Sequence, residues 1–142
     1  MKNSNFPVWL TIISLLFLIW NFFGILNFYN QANMSPNELS DLPIVQQDFI
    51  SNTPLWSFIA FGVAVIGGFI GCGALLFRKK IANIFLQLSL LGIVIQMYHN
   101  FILANGLEVY GADKIAIPVM VIIFAIFLIW LANYATKKQW ID

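Results

Sequence analysis

Apolar residues gather along this chain in four long runs, at residues 8–29, 55–77, 81–104 and 115–134, and no Asp, Glu, Lys or Arg interrupts any of them. Each run has at least the roughly 20 residues that a helix needs to cross the hydrocarbon core of a bilayer. The pattern predicts an all-α fold, a four-helix transmembrane bundle forming a single domain over residues 1–142. The longest polar stretch, residues 30–54, is too short to build a core of its own. It is expected to be the one sizeable loop outside the membrane.

Within that loop, Ser35-Pro36-Asn37-Glu38 has the order of a helix start: a capping serine, proline at the first position, an acid in the first turn. Leu42, Val45, Phe49 and Ile50 could extend an apolar stripe along the membrane surface, but Pro43 interrupts it. A short surface helix and an irregular loop both fit. Trp9, Trp56 and Trp140 stand near span ends, where indole rings anchor at the interface.

Composition agrees with burial in lipid: 61% of residues are hydrophobic and 9% charged, against about 45–50% and 25% in soluble domains. The bilayer is therefore the first partner. With a net charge of +1 and no basic face, no nucleic-acid partner is expected. Lys2 precedes the first run, but no small-x-small cleavage pattern follows around Asn27-Phe28-Tyr29, so this run is expected to stay as a span. The signs of the excluded charges predict orientation. Lys2, Arg78-Lys79-Lys80 and Lys137-Lys138 share one side of a four-span chain, whereas Glu38, Asp41, Asp48, Glu108, Asp113 and Lys114 occupy the other. Basic residues mark the cytoplasmic side, so both termini are expected there.

The second run is studded with small residues. Ala60, Ala64, Gly68 and Cys72 recur every four positions, and Gly67 and Gly71 form a GxxxG beside them. Helices in lipid associate through close backbone contact, which small side chains permit. This span is expected at the centre of the bundle, with a homo-oligomer or membrane-complex interface as the competing use of the same face. The single cysteine excludes an intrachain disulfide.

The third run carries a polar stripe of Ser89, Gly92, Gln96, His99 and Asn100 at three-to-four-residue spacing, which a helix places on one face. The first run offers Thr11, Ser14, Asn21 and Gly24. At about 1.5 Å per residue, Asn21 and Gln96 each fall roughly 20 Å from the terminal side, with Gly62 near the same level. Two readings stay open for Asn21, Gln96, His99 and Asn100: a polar pocket for a solute, or interhelical hydrogen bonds worth about 0.6 kcal/mol each. His99 has no second ligand at metal spacing, so no metal site or cofactor is expected; Glu108 is a candidate partner across the short third loop.

A charge near the bilayer centre costs about 2.5–3.5 kcal/mol and is retained mainly for function. Its complete absence from these runs argues against ion-coupled transport and against intramembrane hydrolysis, so no catalytic residue is assigned and no enzyme is expected. In the fourth run, Val119 to Trp130 is almost uniformly large and aliphatic, which suits a lipid-facing helix. Phe17-Leu18-Ile19-Trp20 recurs there as Phe127-Leu128-Ile129-Trp130, a match that chance explains in so apolar a chain.

Four segments carry a resemblance: Leu18-Ile19-Trp20-Asn21-Phe22-Phe23-Gly24, Thr53-Pro54-Leu55-Trp56, Arg78-Lys79-Lys80 and Ser89-Leu90-Leu91-Gly92. Together they make the chain similar to a family of small bacterial four-span membrane proteins commonly labelled sugar transporters or hypothetical proteins. The resemblance implies multi-pass residence in the bacterial inner (plasma) membrane. It places the family's tryptophan–asparagine pair on Trp20 and Asn21. It does not extend to the sugar-uniporting half-transporters, whose Pro-Gln pair is missing here. The leading expectation is uncoupled small-solute transport or binding, sugars included. The other is an accessory or scaffold subunit of a larger membrane complex.

Overall fold

The computed structural model describes residues 6–142, with Tyr110, Ala112 and Lys114 described by backbone alone. It is all-helical, a bundle with four helices long and apolar enough to span a membrane: Val8–Ala32, Leu55–Leu76, Ala82–Leu103 and Ala116–Lys137. We number the α-helices α1 (Val8–Ala32), α2 (Pro36–Ser40), α3 (Ile44–Ser51), α4 (Leu55–Leu76), α5 (Ala82–Tyr98), α6 (Gly106–Tyr110) and α7 (Ala116–Lys137). A π-helical turn at His99–Leu103 prolongs α5, and a 3₁₀ turn at Ala112–Ile115 precedes α7.

All five prolines stand at helix starts. Pro7, Pro43 and Pro54 are the residues just before α1, α3 and α4, Pro36 opens α2, and Pro118 lies in the first turn of α7. In the first turn the missing N–H has no intrahelical acceptor to lose, so proline punctuates this chain without breaking a helix. The expected helix start at Ser35 is a complete capping box: the Ser35 hydroxyl accepts from the Glu38 N–H at 3.2 Å, and the Glu38 carboxylate accepts from the Ser35 N–H at 2.8 Å. Pro43 divides the loop into two helices, α2 and α3, where a single surface helix was one expectation.

Helix α4 is the hub. It packs against α1 on one side and α5 on the other, and α5 packs against α7. Its buried residues are almost all small, and they serve two faces. A Cβ on Gly67 or Gly71 would press on Phe85, Ser89 or Leu86 of α5, whereas one on Gly68 would land on the Asn21 side chain of α1. Ala60 and Ala64 lie against Gly92 of α5, and the Ser89 hydroxyl donates to the Ala64 carbonyl at 2.6 Å. Replacing Ser89 with Ala should cost about 0.6 kcal/mol, as single interhelical bonds in membranes do; the shift of the unfolding midpoint in mixed micelles measures it.

Phe6 at the start of the described residues, the C-terminal Asp142 and the α4–α5 connection lie together at one end, the terminal face. There α4 and α7 both stop on a Schellman motif with a non-glycine residue in the left-handed region, Arg78 at φ 61° and Gln139 at φ 58°. The paired bonds are present in each: Arg78 N–H to Leu75 O and Lys79 N–H to Ala74 O, then Gln139 N–H to Thr136 O and Trp140 N–H to Ala135 O. The two segments that emerge bind each other, Lys80 N–H donating to Asp142 O at 2.7 Å and Asp142 N–H to Arg78 O at 2.9 Å. Ile141 is thereby pressed into the core beside Leu10, Leu75 and Ala82. Arg78, Lys79, Lys80, Lys137 and Lys138 all ring this face, while Lys2 lies outside the described residues.

The fourth span does more than meet lipid. Its half nearest the terminal face buries Leu128, Leu131, Ala132 and Ala135 in the main core, and only its other half is broadly exposed.

Candidate functional site

Helices α1 and α7 are the two ends of the packing order α1–α4–α5–α7, and they meet chiefly through large side chains. In the terminal half those are aromatic. Phe17 lies edge-on to Phe124 with centroids 5.1 Å apart, Trp20 edge-on to the same ring at 5.6 Å, and Phe17 against Phe127 at 6.1 Å. The two Phe-Leu-Ile-Trp segments thus face each other across this seam. Trp9, Trp140 and Tyr134 continue the aromatic contacts to the terminal face. In the other half no such layer fills the seam, and a cleft remains.

The cleft has two connected parts. The outer one, about 530 Å³, lies at the end of the bundle that carries α2 and α3. Six carboxamides line it, from Asn27, Asn30, Gln31, Gln46, Gln96 and Asn100, together with the hydroxyls of Thr53 and Ser57. Phe49, Phe58, Phe61 and Phe101 provide flat apolar walls. Among the described residues no charged side chain lines it. The inner part, about 410 Å³, shares Asn27, Phe61, Gln96 and Asn100 with the outer one. It runs inward past Ile93, Val65 and Val121 to Gly24, Asn21 and Trp20.

The polar stripe foreseen on the third span divides. Ser89 and Gly92 turn to α4 and make the helix–helix contact. Gln96 and Asn100, each half-buried, turn into the cleft. His99 does neither. It is 6% exposed, set edge-on to Trp56 at 5.4 Å and near Phe49 at 6.2 Å, and it lines neither part of the cleft. Its Nδ1 lies 3.2 Å from Asn100 Oδ1, so its hydrogen-bond partner is the neighbouring amide, where the sequence suggested Glu108. The π turn, closed by Ala104 N–H to His99 O at 2.9 Å, accommodates one extra residue and rotates the helix between Gln96 and the third loop.

Asn21 lines the inner part together with Gln96 and Asn100, but not at the depth of Gln96. Its Nδ2 donates to its own helix at Phe17 O, 2.8 Å away, and approaches Cys72 Sγ at 3.9 Å, with Gly68 directly beneath. Taking α4 as a ruler, Asn21 stands at Gly68, whereas Gly92 stands at Ala60 and Ala64, with Gln96 one turn beyond. The two amides are therefore separated by roughly 12–15 Å of depth rather than level, at 1.5 Å per residue. Gly62 lies at neither level with them; it forms the notch that receives Phe28, whose ring stacks on Phe58 at 4.6 Å. Asn21 closes the inner end of the cleft and ties α1 to α4. Asn21→Leu should cost under about 1 kcal/mol, since its bonds are one local carbonyl and one weak sulfur contact, with the melting temperature in detergent as readout.

Four lining amides were not foreseen. Asn27 and Gln31 continue the Asn21–Gly24 stripe at helical spacing, so the signal was present but lay where the first run meets its loop. Gln46 reaches the cleft only because α3 folds over the bundle end. The described residues hold no cluster of three or more His, Cys, Asp or Glu that would suit a metal ion. Compared with known protein families, curated proteins and solved structures, the chain matches none.

Proposed function

We propose that this integral membrane protein binds a small, uncharged, hydrogen-bonding solute, sugars among them, in the cleft beneath α2 and α3, without coupling to an ion gradient. The observation that carries the reading is the lining of the outer cavity: six carboxamides and two hydroxyls over phenylalanine walls, with no charge among the described residues. Its volume, about 530 Å³, falls within the roughly 300–1,000 Å³ usual for small-molecule sites. Carboxamides both donate and accept, so they match hydroxyl-rich partners of either polarity. A charged ligand would enter without a counter-charge, at a desolvation cost that neutral ligands avoid. Ser57, 1% exposed, lines the same cavity. Binding rather than catalysis suits the one histidine, which is packed between rings away from the cleft.

The test uses the full chain in lipid nanodiscs. Glucose and glycerol should raise its melting temperature, and glucuronate and glucosamine should leave it unchanged. Equal responses to the neutral and charged series would end the reading. Transport as such would require the aromatic layer of Phe17, Trp20 and Phe124 to part, and uptake into proteoliposomes measures it directly.

We further propose that the terminal face is cytoplasmic and the membrane a bacterial inner membrane. The five described basic residues on the terminal face, against acidic loops opposite, support that orientation. Cysteines introduced at Asn52 and at Lys79 should be labelled by an impermeant maleimide from outside and from inside, respectively. The reverse pattern would overturn it.

A further inference from the structure

We propose that the natural occupant of the cleft is an amphiphile, an uncharged hydroxyl-bearing headgroup on a hydrocarbon chain, admitted sideways from the bilayer between α1 and α7. The inference rests on the solute-binding reading above and specifies its ligand. The two parts of the cleft differ in chemistry along one axis. Six carboxamides and two hydroxyls line the outer part, at the end of the bundle that carries α2 and α3, whereas Val65, Ile93, Met97 and Val121 line the inner part, which runs toward the middle of the spans. Gln96 and Asn100 belong to both, so one ligand can occupy them continuously.

The route of entry follows from the packing order. Helices α1–α4, α4–α5 and α5–α7 are sealed by backbone-close contact, which leaves the α1–α7 seam as the side opening. Phe23 and Ile117 stand at that opening and are 62% and 60% exposed, so the mouth is rimmed by apolar side chains suited to lipid tails. Toward the terminal face the Phe17–Phe124–Trp20 layer closes the seam. A purely water-borne solute makes little use of a limb walled by Val65, Ile93, Met97 and Val121 before it reaches Asn21. A hydrocarbon chain suits it, and its partitioning concentrates the ligand at the mouth. Affinity then comes from the headgroup, because a chain leaving lipid for an apolar groove gains little.

The experiment photolabels the full chain in nanodiscs with a monoacylglycerol carrying a diazirine in mid-chain, and in parallel with its phosphorylated, anionic counterpart. The expected result is labelling of Val65, Ile93 or Val121 by the neutral probe, displaced by excess unlabelled monoacylglycerol and about tenfold weaker for the anionic probe, equivalent to the loss of one or two hydrogen-bonded contacts. Val121→Trp, at a position that lines the inner part alone, should reduce that labelling by a similar factor and leave glucose-induced stabilisation intact; Val65→Phe, also confined to the inner part, serves where the first variant does not fold. Labelling confined to outward-facing residues such as Ile66 and Leu88, equal for both probes, with glucose still stabilising the protein, overturns this inference and leaves the solute site standing. Failure of both the lipid probe and every neutral solute to give a Gln96-dependent signal overturns both.

Discussion

Gly92→Leu is expected to prevent the bundle from forming, and Gly92→Ala to destabilise it by about 2 kcal/mol, the middle of the range for overpacked sites. A Cβ at Gly92 would stand 2.6 Å from the Ala60 carbonyl oxygen and 2.8 Å from the Ala64 nitrogen. Both are backbone atoms of α4, so no rotamer change relieves the clash and the two helices must separate. Separation also stretches the Ser89–Ala64 bond, one turn away and only 2.6 Å long. Lipid supplies no hydrophobic force to push the helices back together, so the lost contact is not recovered elsewhere. Gly73→Ala is the control: its Cβ would meet nothing closer than Leu18 at 3.9 Å, and removing a helical glycine should stabilise by up to about 1 kcal/mol. Unfolding in mixed micelles followed by circular dichroism reads all three. An unchanged midpoint for Gly92→Leu would mean that α4 and α5 are not apposed at this turn.

Gln96→Leu should have the opposite profile, with binding lost and stability kept. Gln96 is half-buried, lines both parts of the cleft, and forms no side-chain hydrogen bond to the described residues. Leucine preserves volume and helix propensity and suits hydrocarbon depth better, so the melting temperature should hold or rise slightly. A bound hydroxyl deprived of its amide partner loses about 1–3 kcal/mol, which corresponds to roughly a ten- to hundredfold weaker Kd. Calorimetry with a neutral solute, beside a melt without ligand, separates the outcomes. If Gln96 were interhelical glue, the variant would melt lower and bind as before. That result would leave the cleft without its central contact.

Asn21 and Gln96 differ in this respect although the sequence presents them alike. Each is a lone carboxamide in an uncharged run, and helical rise counted from the run ends puts them level. Helix register undoes that estimate. Antiparallel packing sets Asn21 against Gly68 and Gly92 against Ala60, and nothing in either run's length fixes how far one helix slides along another. Likewise His99 and Asn100 are neighbours on one stripe until the π turn assigns one to Trp56 and the other to the cleft. The small residues of α4 were readable as a packing surface, but their division between α1 and α5 was not, because two GxxxG-like rows on one helix do not name their partners.

The sequence by itself determined the four spans, the helix start at Ser35 with Pro36 at its first position, and the exclusion of charge from the apolar runs. All of these are local: run length against bilayer thickness, a capping side chain within reach of its own first turn, a missing N–H where none is needed. Tertiary structure alone decided the cleft. It exists because α1 and α7 stand at opposite ends of the packing order, because aromatic rings fill only the terminal half of their seam, and because α3 brings Gln46 over the opening. Those facts depend on the register and order of whole helices, which in lipid are set by the fit of surfaces distant in sequence rather than by any single run.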